Sequence, residues 1–93
     1  LINDGRLEEA YREIETVSST YRNSRILKIN LYSLLSLAKS EFHKVVLSLG
    51  NLKSVDCHPV LSCITMTNLA YSYIKASDMW KAESTCLQAI PLI

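Results

Sequence analysis

Three short segments of the chain can be laid over one another: Gly5-Arg6-Leu7, Ser40-Glu41-Phe42 and Ser77-Asp78-Met79 each set a small residue, a polar one and a bulky apolar one in a row. The small residues are 35 and then 37 positions apart. Ala10, Val45 or Ala82 follows the small residue by five positions, Ile14, Leu49 or Cys86 by nine, and Val17, Leu52 or Ala89 by twelve. These intervals share one face of an α-helix, so each segment reads as a turn that leads into an amphipathic helix. A period in the mid-thirties leaves room for one more helix before the next turn. Two helices per period is the pattern of stacked helical solenoids, because one helix pair cannot bury its apolar face alone.

The rest of the sequence agrees. Two glycines and two prolines in 93 residues are too few for the turns of a many-stranded β domain, and 48% hydrophobic content is too high for disorder. The length allows one domain. After a turn at Asp4-Gly5-Arg6, a first helix sets Leu7, Ala10, Tyr11, Ile14 and Val17 against Glu8, Glu9, Glu13 and Glu15. Ser24 is the expected N-cap of a second helix, apolar almost all round from Ile26 to Leu37 and therefore covered on several sides. Phe42, Val45, Val46, Leu49 and Leu52 mark a third, ending between Gly50 and Ser54, with Val55 to Pro59 as a linker. Pro59 suits the first turn of a fourth helix, which carries Val60, Leu61, Ile64, Met66, Leu69, Ala70, Tyr73 and Ile74. Ser77 or Asp78 caps a fifth helix, and Pro91 ends it.

Asn68-Leu69-Ala70, Tyr73, Ser77-Asp78-Met79, Ala82 and Gln88-Ala89-Ile90 together resemble the tetratricopeptide repeat family. They look like its large-small pair on helix A, its aromatic one turn later, its turn, and its two small residues on helix B. The middle segment is similar but looser: Tyr32, Ser33, Ser36, Val45, Leu49 and Leu52 keep the large and small alternation without the aromatic and the alanines. The resemblance implies an all-α, right-handed α-α superhelix of about five antiparallel helices. Residues 1–21 would supply the second helix of a truncated repeat, 22–54 a degenerate repeat and 55–93 the best-matching one. The chain then reads as a slice of a longer protein. A rival of similar period, the pentatricopeptide repeat family, binds single-stranded RNA and shares the turn at Lys75 to Asp78. That family usually carries a bulky aliphatic where this chain has Ser33 and Ala70, and a Met where it has Ala89. An unrelated helical bundle is the third option.

No catalytic constellation stands out. Cys57-His58 with Cys63 offers no CxxC pair, and His43 lies on another helix, so a four-ligand zinc site is not readable. There is no Gly-rich phosphate loop or HExxH, and no paired carboxylates beyond the Glu face of the first helix. The expectation is a chain that is no enzyme and holds no cofactor, with Cys63 and Cys86 as core residues. Three cysteines without regular spacing point to a reducing, intracellular compartment: cytoplasm or nucleus, or an organelle if RNA is bound. The stretch from Cys57 to Ile74 lacks Asp, Glu, Lys and Arg, but its polar residues argue for a buried helix rather than a membrane span.

The net charge of +1 conceals a gradient: −3 over Leu1 to Tyr21, +5 over Arg22 to Lys53 and −1 over Ser54 to Ile93. The basic middle, above all Arg22, Arg25 and Lys28, could meet an acidic peptide or a phosphate backbone, or be a solvated face beside the acidic first helix. The tetratricopeptide resemblance implies a concave surface lined by Leu27, Asn30, Leu34, Ile64, Thr67, Tyr71 and Lys75. Such a surface suits a partner helix or peptide, with Asn30 and Tyr71 orienting it. Adjacent repeats of the same full-length chain are the other expected partners, and they compete for Leu27 and Leu34.

Overall fold

The computed structural model describes residues 4–52 and 56–92. They form five α-helices, α1 (Asp4–Glu15), α2 (Arg22–Ala38), α3 (Phe42–Gly50), α4 (Pro59–Lys75) and α5 (Met79–Ala89), followed by a 3-10 turn over Ile90–Leu92. No strand occurs among the described residues.

The hairpins α2–α3 and α4–α5 match in register. Adding 37 to the limits of α2 gives those of α4, and adding 37 to the start of α3 gives that of α5. Their turns share one hydrogen-bond pattern. Ser40 N–H donates to Leu37 O and Ser77 N–H to Ile74 O, both at 3.0 Å, while Glu41 N–H reaches Ser36 O at 2.9 Å and Asp78 N–H reaches Tyr73 O at 2.8 Å. This is the Schellman arrangement, which places its C′ residue in the left-handed region. Ser40 (φ 62°) and Ser77 (φ 64°) occupy that place without being glycine. The third expected turn is different: Asp4 and Gly5 lie inside α1, and no glycine among the described residues has positive φ.

Capping follows local chemistry. Asp78 accepts from Lys81 N–H at 3.2 Å and caps α5. At α4, Pro59 occupies the first turn, where a missing N–H costs nothing, and His58 Nδ1 accepts from Val60 N–H at 3.1 Å. Ser24 does not cap α2: the helix starts earlier, at Arg22, with Tyr21 as an N-cap that makes no side-chain bond.

The helices form two layers, in keeping with an overall thickness of 20 Å, about two helix diameters. One layer is α2 and α4, which touch; the other is α1, α3 and α5, which do not touch one another among the described residues. Three polar contacts tie α2 and its approach to α4 and its approach: Arg22 with Asp56, Asn23 with His58, and Asn30 with Thr65. Their sequence offset stays at 34 or 35 residues. A constant offset means that the two helices run parallel; an antiparallel pair would keep the sum constant instead.

Val45, Leu49 and Leu69 form the central core, with Ile29, Leu37, Val46, Leu52 and Tyr73 packed around it. Ala82 is buried as the turn register requires, but Cys86 is exposed and the neighbouring Thr85 takes the inward place. Cys63 is only half-buried. Small hydroxyl residues fill much of the remaining interior. Thr65, Ser72 and Thr85 are buried, and each hydroxyl donates to the carbonyl four residues back at 2.8 Å, so the helices approach closely with no buried side-chain polar atom left unpartnered among the described residues.

Candidate functional site

The seven residues expected to line one surface are divided by the structure. Leu27, Leu34, Ile64 and Tyr71 are exposed by 38 to 48%. Leu27 and Leu34 are seven residues apart on α2, as Ile64 and Tyr71 are on α4, so each pair shares a helix face. In the turn register Leu27 corresponds to Ile64 and Leu34 to Tyr71, so two parallel helices present matched apolar stripes on one side of the molecule. Lys75 sits one turn beyond Tyr71, its Nζ 5.5 Å from the ring centroid, a contact worth about 0.5–1 kcal/mol at an exposed site. Thr67 is exposed between Ile64 and Tyr71, its hydroxyl bonded to Cys63 O at 2.8 Å.

Asn30 is not on that surface. It is 1% exposed, its amide donating to Ile26 O at 3.0 Å and Thr65 Oγ1 at 2.9 Å, while its oxygen accepts from Asn68 at 3.1 Å. Every hydrogen-bonding site of that side chain except one lone pair is used inside the protein. The difference from Thr67, its counterpart in the register, has a plain cause: α4 covers position 30, and no described helix covers position 67.

The basic residues also separate. Arg22 is engaged by Asp56, at 3.2 Å from its carbonyl and 3.8 Å from its carboxylate. Arg25 and Lys28, one and two turns further along α2, lie beside Ser19, Ile29 and Tyr32. Lys28 Nζ donates to Ser19 Oγ at 3.3 Å. Next to them, Tyr11 on α1 and Tyr32 on α2 bring their rings to 5.3 Å and share one acceptor, Glu15. The bond to Glu15 pushes the Tyr32 phenol up to about 12, and the same partner raises Tyr11. In return the two hydroxyls, Tyr32 first, hold the Glu15 carboxyl below its ordinary range.

Cys57 Sγ lies 3.1 Å from Ser62 Oγ, and His58 is occupied in capping α4. No cluster of three or more His, Cys, Asp or Glu side chains is gathered among the described residues, and none of their helices is long and apolar enough to cross a membrane. No family model matches the chain, and neither does any curated protein or solved structure.

Proposed function

We propose that this chain is a segment of a tetratricopeptide-like solenoid and acts as a protein-protein interaction module. A partner helix or peptide would lie across the face formed by Leu27, Leu34, Ile64, Thr67, Tyr71 and Lys75. The observation that carries this reading is the pair of matched exposed stripes on two parallel helices, α2 and α4. Apolar anchors at i and i+7 on the surface suit the apolar face of an amphipathic helix, with Tyr71 and Lys75 as the polar handles that orient it. The all-helical architecture, the 37-residue register of the two hairpins and their shared turn chemistry support the solenoid half of the proposal. The RNA-binding alternative draws less support on this face, since Lys75 alone among the six residues is cationic.

The test is selection of helical peptides from a displayed library against the full chain, followed by affinity measurement on the double variant Leu34→Ala, Tyr71→Ala. Selected binders should lose at least about tenfold in affinity, equivalent to about 1.4 kcal/mol, while far-ultraviolet circular dichroism stays unchanged. Binders indifferent to both substitutions would place recognition elsewhere. Tight, steeply salt-dependent binding of single-stranded RNA that these substitutions weaken would favour the alternative.

A further inference from the structure

Because α1 and α3 do not touch, a groove runs between them, floored by the side of α2 that faces away from Leu27 and Leu34. Two depressions merge there, sharing Ile29 and Tyr32. One end carries Arg25 and Lys28, the other Lys39 and Lys44 with Glu41 beside them. No carboxylate among the described residues lies within ion-pair distance of Arg25, Lys39 or Lys44, although the acidic helix α1 forms one wall. Between the ends, Ile29 and Tyr32 form the floor, and Glu15 is held at its edge by the two tyrosines, within the field of Lys28.

This charge belongs to this groove and not to the architecture. In the 37-residue register Arg25, Lys28 and Lys39 correspond to Ser62, Thr65 and Ala76, none of them charged. Only Lys44 has a cationic counterpart, Lys81, and that one is paired with Asp78 at 3.9 Å.

We propose that the groove binds an extended acidic peptide, with carboxylates at both ends and an apolar side chain in the middle. Fourteen residues separate Arg25 from Lys39 along α2, about 21 Å at 1.5 Å per residue, which an extended peptide spans in about six residues. A nucleic acid fits worse, because an evenly charged phosphate chain would have to pass both Glu15 and Glu41, which a peptide with separated carboxylates can avoid. The site is separate from the apolar stripes on the far side of α2 and stands whether or not those bind a partner.

The experiment is fluorescence anisotropy on the full chain at low ionic strength, with a labelled hexapeptide Asp-Glu-Leu-Phe-Glu-Asp, its Asn/Gln analogue and a short oligouridylate. The acidic peptide should bind. Lys39→Gln with Lys44→Gln, and separately Arg25→Gln with Lys28→Gln, should each weaken it by at least about tenfold with helicity unchanged. Leu34→Ala with Tyr71→Ala should leave it unaffected, which keeps this site distinct from the apolar face. The proposal is overturned if the acidic peptide does not bind, if the neutral analogue binds as well, if the lysine and arginine variants bind unchanged, or if the oligouridylate binds more tightly.

Discussion

The amide nitrogen of Asn30 on α2 donates to the hydroxyl of Thr65 on α4 across 2.9 Å, in a place where both residues are almost completely buried. The hydroxyl in turn donates to Leu61 O at 2.8 Å, and Asn68 closes the group from the other side. Asn30→Ala deprives Thr65 and Asn68 of partners inside the protein, and the cost of leaving buried polar groups unmatched is about 1 to 3 kcal/mol. Urea unfolding should show that loss in its midpoint. Thr67→Ala, at the corresponding but exposed position of α4, should change stability by no more than about 0.5 kcal/mol.

Ser40 and Ser77 hold left-handed conformations that cost an L-residue roughly 1 to 2 kcal/mol, part of which glycine would return as chain entropy. Ser40→Gly and Ser77→Gly should each stabilise the fold by about 0.5 to 1 kcal/mol. The two turns share no hydrogen-bond partner, so the two gains should add in thermal melts. A loss at either position would refute the assigned turn geometry.

His58→Ala removes the acceptor at the start of α4 and should cost about 1 kcal/mol, as other N-cap deletions do. His58→Asp restores an acceptor and adds a negative charge at the positive end of the helix, so its unfolding midpoint should match or exceed that of the wild type. Equal midpoints for the alanine and aspartate variants would remove the cap from the account of α4.

The Tyr11, Tyr32 and Glu15 cluster makes stability fall at both ends of the pH scale. Tyr32 is raised from 10.0 to about 12, so its contribution is complete below pH 10 and is lost as the pH climbs through about 12. Glu15 is lowered from 4.5, so its contribution is present above that value and is lost as acid protonates the carboxylate below it. Glu15→Gln should bring the Tyr32 transition back towards 10 in an ultraviolet phenolate titration and flatten both limbs of the stability profile. An unmoved phenolate transition would contradict the shared hydrogen bonds.

Ala82 is 4% exposed where α5 meets α4, and Ala82→Leu should overfill that contact at about 1 to 3 kcal/mol. An unchanged melting midpoint would show that the helices do not approach closely at this position.

The helices were readable because apolar residues recur at helical spacing and because Ser40, Ser77, Asp78 and Pro59 carry strong local preferences for turns and helix starts. The register of the two hairpins was readable for the same reason. What could not be read is which polar residues point inward. Asn30 and Thr67 occupy equivalent positions with similar polarity, and only the presence of α4 beside one of them makes it interior. Thr65, Ser72 and Thr85 look like surface residues because their hydroxyls satisfy themselves on their own helix, a local bond that leaves no periodic trace. Asp4-Gly5 resembles the other turns in residue type, yet it lies within α1, since glycine and aspartate are compatible with a helix's first turn as well as with a bend. Of the expected partner surface, Leu27, Leu34, Ile64 and Tyr71 followed from the resemblance to the tetratricopeptide repeat family, and all four are exposed in the structure. The groove between α1 and α3 was not, because it depends on two helices failing to meet.

That gap has a mechanical meaning. In the layer of α2 and α4 the helices are fastened side by side, and curvature that opened this face would have to pull Asn30 from Thr65. In the layer of α1, α3 and α5 no helix is fastened directly to another, and α3 is held instead through Val45 and Leu49 against Leu69 of α4. Opening the molecule on one side therefore breaks a direct bond between α2 and α4, whereas on the other the helices are joined only through the layer beneath them.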